Sequence, residues 1–463
     1  MNNPNLESKL PSQLQACEML VDINRILDEK AHQQGITFTT MDAEQRVKSA
    51  LSTGIFSFDL MLGGGYAPGR MSYLYGPTGS CKSTTIYHSI LSSISRDIIT
   101  IINDHESSTD PTYLEKIGIS LDSDVCGYRN KKGTWETTPK LRYALGTTAE
   151  ATFKFMNLVM RSMPDKIQLW DDKEQAFRYF LISPEFEYKP TWRSINDGLK
   201  ASEKIRDKEK AKVVEVGDFS PQLVFITDSL KSMLPDARDI DIDKDPIALL
   251  ARCFSASFPL IKSMLGKKNC IYLCTNHLTI NPMAMFGSPE SEPGGTSVQF
   301  YPDMKLKMNV NRAQGKIISE SHLSGEGEDR YSMGKATIIK NKSGPCFRQM
   351  EFRVWLDEKG SPGRGIDPVF DIHNFLQSCG LIENVSKTEF GIKLKGREAE
   401  KYSWSSFKKF ILQNPDADKL KEEIQTLLVE GKAQEMYYAD LITSKDKKEQ
   451  KAKDNETVQE VEL

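Results

Sequence analysis

The sequence predicts an α/β core whose central sheet is mostly parallel and turns antiparallel at one edge. The runs MSYLYG, IITIIND, LVFITDS and CIYLCTN are apolar almost throughout, as strands buried on both faces must be. Stretches with helical spacing lie between them, the arrangement in which crossover helices join parallel strands. Farther along, after MKLKMNV and ATIIKNK, the run MEFRVWLD alternates. It puts Met350, Phe352, Val354 and Leu356 on one face, the period of an antiparallel strand with one side in water.

Ahead of this core, residues 5–30 place Leu14, Met19, Leu20, Ile23 and Leu27 in a helix-like pattern, and GITFTT follows as a short strand around Phe38. Residues 1–50 therefore read as an N-terminal helix–strand arm that packs on its own body or on a neighbouring copy, an oligomerisation arm. The core spans 51–357. From about 120 to 220 its strand–helix rhythm is interrupted, so an insertion is expected there, with SEKIRDKEKAKVVE (Ser202 to Glu215) as a solvated helix face. Residues 358–440, with FDIHNFLQSCGLI, FKKFILQ and LKEEIQTLLVEG, predict a small C-terminal α-rich domain. Residues 441–463 carry charges of both signs and no aromatic residue, the composition of a disordered tail.

The 463 residues are 39% apolar, enough for a sizeable core, and carry a net charge of −3. That charge excludes a global attraction to nucleic acid, so any such binding needs a local patch. The eight cysteines form no CxxC pair and no zinc-like Cys/His spacing. Cys270 and Cys274 share one apolar strand-like run, so free thiols and a reducing, cytoplasmic compartment are expected. The first residues, MNNPNLESKL, are polar, and no apolar run reads as long enough to cross a bilayer. Neither a secretion signal nor a membrane partner is expected.

The chemistry concentrates after the first strand. Gly76, Pro77, Thr78, Gly79, Ser80 and Cys81 lead into Lys82, Ser83 and Thr84, with Ile86, Ile90 and Ile94 continuing at helical spacing. A phosphate loop is Gly, four residues, Gly-Lys, then Ser or Thr, and here Cys81 stands at the second glycine. Such a loop directs backbone N–H groups and a helix N-terminus at phosphates, a lysine at the terminal phosphates and a hydroxyl at magnesium. Cys81 is tolerable if its dihedrals are already helical, and a thiol beside Lys82 at a helix start is expected to be reactive. The competing reading is a strand–turn–helix corner without a ligand. LVFITDS ends with Asp228, an acid at a strand's carboxyl end that can face magnesium. IITIIND runs into Asp104, His105 and Glu106, and Glu106 is placed to polarise an attacking water. CIYLCTNH ends on Asn276 and His277.

TGIFSFDLMLGGGYAPGRMSYLYGPTGSCKSTT resembles the opening of the RecA recombinase core, and NDHESSTDPTYLEKIGI resembles that family's catalytic-glutamate and adenine-stacking segment. FITDS, TNH, EPGGTSVQFYPDMKLKM and ATIIKNKSGPCF resemble, in order, its Walker B strand, its strand-end sensor, the end of its second DNA loop and its paired lysines. GIDPVFDIHNFLQSCGLI is similar to the phage UvsX branch, which also lacks the second glycine. The similarity covers about 51–119 and 222–382. It implies a RecA-like P-loop ATPase using ATP and Mg2+. Lys82 and Ser83 would hold phosphates and metal, Asp228 would support the metal, and Glu106 would activate water. Asp110 and Tyr113 would frame the adenine. His277 would stand as γ-phosphate sensor where the family more often has glutamine. Lys340 and Lys342 would reach the neighbouring subunit's nucleotide.

The resemblance also places two DNA-binding loops. The first, near 235–246, offers only Arg238 and Lys244 among five aspartates. The second, near 279–296, offers Met283, Met285 and Phe286 to separate bases, with Gly294 and Gly295 able to bring N–H groups to a phosphate. The implied partners are single-stranded DNA, then homologous duplex DNA, other copies in a helical filament, and single-strand-binding and loader proteins. A ring helicase on the same core and a non-catalytic filament accessory are the rival expectations.

Overall fold

The computed structural model describes residues 50–171, 174–183, 213–218, 220–236, 246–280, 290–310, 317–344, 346–356 and 362–438. The expected N-terminal arm, most of the Ser202–Glu215 run, Arg238, Lys244, Met283, Met285, Phe286 and the C-terminal tail lie outside these residues.

Helix α1 (Phe56–Leu62) precedes strand β1 (Met71–Gly76), and α2 (Lys82–Ser95) follows it. Next come β2 (Ile99–Asp104), α3 (Pro111–Ile117), a hairpin of β3 (Tyr128–Arg129) and β4 (Trp135–Thr137), β5 (Leu141–Leu145) and α4 (Ala149–Ser162). Strands β6 (Asp165–Asp171), β7 (Ala176–Ile182) and β8 (Val213–Val216) form their own antiparallel sheet in a separate compact unit, where Arg178 binds both carboxylate oxygens of Glu215. Of the stretch 120–220, then, residues 141–162 supply a strand and a helix to the core unit.

The core resumes with β9 (Leu223–Asp228), α5 (Pro246–Lys268), β10 (Ile271–His277), the short β11 (Thr279–Ile280) and β12 (Glu290–Ser291), and β13 (Met304–Val310). It ends with β14 (Ile317–Ser321), β15 (Glu328–Asn341), β16 (Gln349–Leu356) and β17 (Pro362–Ile366). The sheet order is β17-β16-β15-β13-β1-β10-β9-β2-β5, with β14 on β15. From β5 to β13 every pairing is parallel, and from β13 to β17 every pairing is antiparallel, as the apolar and alternating runs predict. Register brings Gly76 beside His277 and Asp104 beside Asp228. The carboxyl ends of four adjacent parallel strands thus form one row, the edge where open α/β sheets bind ligands.

Ile86, Ile90 and Ile94 of α2 are buried in one core with Leu74, Ile102, Val224 and Leu273. Phe153 of α4 lies edge-on to Phe254 and Phe258 of α5, whose rings stack at 5.1 Å. Within α5, Ala248–Lys268 is long and apolar enough to cross a membrane, which corrects the expectation that no run meets that test. Its Phe254, Phe258, Ile261 and Leu265 are packed inside the protein.

The C-terminal part holds α6 (Pro368–Ser378), α7 (Trp404–Gln413) and α8 (Asp416–Val429), as predicted, and a small antiparallel sheet of β18 (Ile382–Asn384), β19 (Glu389–Ile392) and β20 (Lys401–Ser403) that the sequence does not announce. These strands are too short to show a period. Asp371 of α6 accepts hydrogen bonds from the N–H groups of Phe56 and Ser57, so it caps α1 from far along the chain.

Candidate nucleotide site

Strand β1 feeds a loop that closes on the start of α2. A Cβ at Gly76 would meet the Met308 carbonyl oxygen at 2.1 Å, so only glycine fits there. Cys81 has φ 64° and ψ 28°, the left-handed region. This corrects the expectation of helical dihedrals, and it explains why glycine is usual at this position: for other residues the conformation costs roughly 1–2 kcal/mol. The Cys81 side chain is 6% exposed and packs in the core. That burial offsets the strain and removes the ground for a fast-reacting thiol. Cys346 is the exposed cysteine among the described residues. Cys81→Gly is expected to relieve strain and lose packing together, leaving unfolding free energy within about 1 kcal/mol of the parent. Denaturant titration checks this, and a loss above about 3 kcal/mol would show that strain is absent.

The Lys82 ammonium folds onto the loop, donating to the carbonyls of Pro77 (3.0 Å) and Gly76 (3.2 Å) and to Ser80 Oγ (3.4 Å). Burial lowers its pKa, against the opposing pull of Asp228 and Glu106. Asp228 is buried at the end of β9, and the peptide that follows it is cis. Burial raises its pKa, the Ser83 and Thr275 hydroxyls counter that, and the charges of Glu106 and Asp104 add to the rise. Thr275 donates to Oδ1, while Oδ2 is buried without a hydrogen-bond partner. An orphaned carboxylate oxygen beside the Ser83 hydroxyl is what a hard cation completes. Among the described residues no cluster of three or more metal-ligating side chains exists, so such a cation would take its other ligands from phosphates and water.

Glu106 stands next to this carboxylate. Its Oε1 accepts from Ser229 Oγ (2.5 Å), Ser232 Oγ (3.1 Å) and His277 Nε2 (2.8 Å). The His277 hydrogen bond first, and then the serines, hold its pKa down at about 2 despite burial. The other ring nitrogen of His277 lies 3.4 Å from Thr78 Oγ1, so one imidazole bridges the loop and the acid. Glu106 is positioned by Asp104, whose carboxylate accepts from the N–H groups of Glu106 (2.9 Å), Ser108 (3.0 Å) and Thr109 (2.9 Å) and from Tyr143 Oη (3.0 Å). Burial would raise the Asp104 pKa, and these bonds outweigh it. An Asp104→Asn variant turns an amide NH2 toward backbone donors, so it should lose roughly 2–4 kcal/mol of stability. Turnover should fall with it as the Glu106 segment loosens. Unfolding and ATPase measurements on the same preparation check both effects.

Asp110 caps α3 by accepting from Thr112 N, and Tyr113 in that helix meets Thr84 Oγ1 at 3.0 Å. The segment expected to frame adenine is therefore tied to α2 just behind the loop. Lys340 and Lys342 lie elsewhere. Lys340 Nζ donates to the carbonyls of Phe300 (2.7 Å) and Gln299 (3.2 Å), and Lys342 Nζ is 3.6 Å from Asp303 Oδ1. Lys262 and Arg70 also pair with Asp303, which bonds to Met71 at the opening of β1. The lysine pair thus sits at the opposite end of a six-residue strand from the loop. Burial, then the charges of Lys342 and Lys262, lower the Lys340 pKa.

The second expected DNA loop begins right after β10, the strand that ends on His277. β11 pairs with β12. The returning chain is pinned by Lys305 to Glu292 and Lys307 to Glu290, and Asn276 Nδ2 donates to the Pro293 carbonyl. Gly294 (φ 103°) packs so closely on α5 that a Cβ would fall 2.7 Å from the Phe254 ring, and Gly295 (φ 75°) faces Ala251 similarly. That contact accounts for both glycines. Sequence reasoning missed Asp104 as a positioning residue, along with Ser229, Ser232, Thr275 and the Asp303 cluster. The adjacency of Ser229 to Asp228 was the one visible signal.

Residues 21–131 and 211–360 match the family described as the RecA N-terminal domain. Protein RecA of Streptococcus agalactiae serotype III (strain NEM316) is 23% identical over 379 residues, 81% of this chain and 75% of that one. Protein RecA of Streptococcus mutans serotype c is 24% identical over 380 residues, with the same coverage, and that of Paracoccus denitrificans 24% over 370 residues, 79% of this chain and 78% of the relative. With over half its length matched and a glycine loop, two strand-end acids and a strand-end histidine in one row, this chain belongs to the RecA family.

Proposed function

We propose that this chain is an ATP-dependent recombinase that binds single-stranded DNA as a helical filament and pairs it with a homologous duplex, acting as a DNA-dependent ATPase in recombination and repair. The observation that carries the reading is the row formed by Lys82, Asp228, Glu106 and His277, together with a lysine pair that its own loop cannot use. Lys82 would leave the loop carbonyls for the terminal phosphates. Ser83 and Asp228 would hold Mg2+, which supplies charge neutralisation between the phosphates. Glu106, kept ionised, would orient the attacking water; phosphoryl transfer depends mainly on positioning. His277, touching both Thr78 and Glu106, would report the terminal phosphate to the second loop through Asn276 and β11. Arg238, Lys244, Met283, Met285 and Phe286 would meet the DNA. The absence of the second loop glycine, with Cys81 in its place, and the GIDPVFDIHNFLQSCGLI segment favour the UvsX branch, with a bacteriophage origin, a cytoplasmic site of action and single-strand-binding and loader proteins as partners.

Electron microscopy of the protein with ATP, Mg2+ and single-stranded DNA, alongside ATPase assays with and without that DNA, tests the reading. Filaments and DNA-stimulated turnover are expected. Closed rings, or turnover indifferent to DNA, would overturn it.

A further inference from the structure

We propose that the hairpin over residues 126–145 is an additional single-strand nucleic-acid surface, separate from the two loops. The stretch holds five cations, Arg129, Lys131, Lys132, Lys140 and Arg142, against the one acid Glu136, a local charge of +4 in a chain of −3 overall. Lys140 is engaged with Asp97, but among the described residues no carboxylate pairs with Arg129, Lys131 or Lys132. Aromatic rings stand among these charges. Tyr128 is 52% and Trp135 36% exposed, and the Arg129 guanidinium lies 4.2 Å from the Trp135 ring centroid, with Arg142 at 5.6 Å.

Solvated turn lysines are common and by themselves say little. Rings and guanidinium planes interleaved with cations that have no carboxylate partner among the described residues are different, because together they match both things a single strand presents, phosphates and unstacked base faces. A duplex hides those base faces, which is why the partner is a single strand.

The surface is also firmly built. The turn closes through Asn130, whose side chain accepts from the N–H groups of Lys132 and Thr134. Gly127 (φ 75°) lets the hairpin pack so tightly that a Cβ would fall 2.8 Å from Trp135 and from the Thr137 carbonyl. Its continuation, β5, is an edge strand whose Tyr143 bonds to Asp104, so the hairpin is joined to the segment that positions Glu106.

The inference rests on the preceding section only for the identity of the polyanion. The test is fluorescence anisotropy of a fluorescein-labelled oligo(dT) with the full chain, ATP and Mg2+, across a salt series. The triple variant Arg129→Ala, Lys131→Ala, Lys132→Ala is compared with the parent, and Lys131→Gln, Lys132→Gln serves as the milder change at the exposed turn. The slope of log affinity against log salt should fall by about 2 for the triple variant, at ~0.7 per lost phosphate contact, and low-salt affinity should fall on the order of tenfold. DNA-free ATP turnover should be unchanged, which certifies the fold. Unaltered slope and affinity in both variants would overturn the inference while leaving the recombinase reading intact. So would altered self-assembly with unaltered oligo(dT) binding, which would assign the hairpin to a protein partner. A parent chain that binds no oligo(dT) at any salt would overturn both.

Discussion

Glu106→Gln is expected to lower ATP turnover by about 10²–10⁴-fold, the range a positioned general base contributes. Nucleotide affinity should stay within a few fold of the parent. The carboxylate makes all three of its observed hydrogen bonds through Oε1, to Ser229, Ser232 and His277, and none of them belongs to the phosphate loop. An amide of the same shape keeps an acceptor there and so preserves the arrangement, but it lacks the charge that orients and polarises water. The DNA-bound state should outlast the parent's because hydrolysis no longer ends it. Steady-state ATPase and equilibrium nucleotide titration separate the two effects, and turnover near the parent's would remove Glu106 from the mechanism. A pH signature accompanies this. The folded-state pKa of Glu106 is depressed to about 2 from 4.5, so its contribution to stability is fully present above pH 4.5 and lost as pH falls toward 2. The glutamine variant should lack that acid-side loss.

Replacing Lys340 and Lys342 together with alanine is expected to reduce DNA-stimulated turnover on the order of 10³-fold, the lower end of what a cation supplied by a neighbouring subunit contributes. The pair lies by Asp303 at the start of β1, and the strand separates it from its own loop by roughly 17 Å, beyond a lysine's reach. Folding should survive, because Lys262 and Arg70 still satisfy Asp303 and a source of mutual repulsion has gone. Mixing this variant with Lys82→Ala provides the decisive measurement. Some mixed boundaries then join an intact loop to an intact lysine pair, and part of the activity returns. Co-assembled mixtures with no recovery would mean that the lysines do not act across a boundary.

The central sheet was legible because strands buried on both faces leave continuous apolar runs: MSYLYG, LVFITD and IYLCTNH became β1, β9 and β10 nearly residue for residue. Strand β5 was not, since LRYAL sits at an edge with Tyr143 and Leu145 exposed and reads like loop. The strand-end acids were found by position, but the sequence could not tell which of Asp104 and Glu106 turns inward. Asp104 proves to be a buried hub whose partners are mostly backbone N–H groups, and a side chain that bonds to backbone leaves no trace in residue types. The Cys81 conformation escaped for a related reason: a dihedral angle is decided by the turn around it. The Asp303 cluster draws its cations, Arg70, Lys262 and Lys342, from three distant stretches, and only the completed sheet brings them together.

Concentrating positive charge on one hairpin also bears on how encounters begin. At separations beyond the ~8–10 Å screening length of physiological salt, a polyanion meets a molecule that is, in sum, weakly repulsive. Inside that distance the nearest residues dominate, and the basic hairpin would exert a torque turning its own side toward an approaching polyanion before any contact forms. Collisions are thereby sorted by orientation rather than merely made more frequent. Added salt would then act first on the rate of productive capture, with dissociation of a strand already bound responding less.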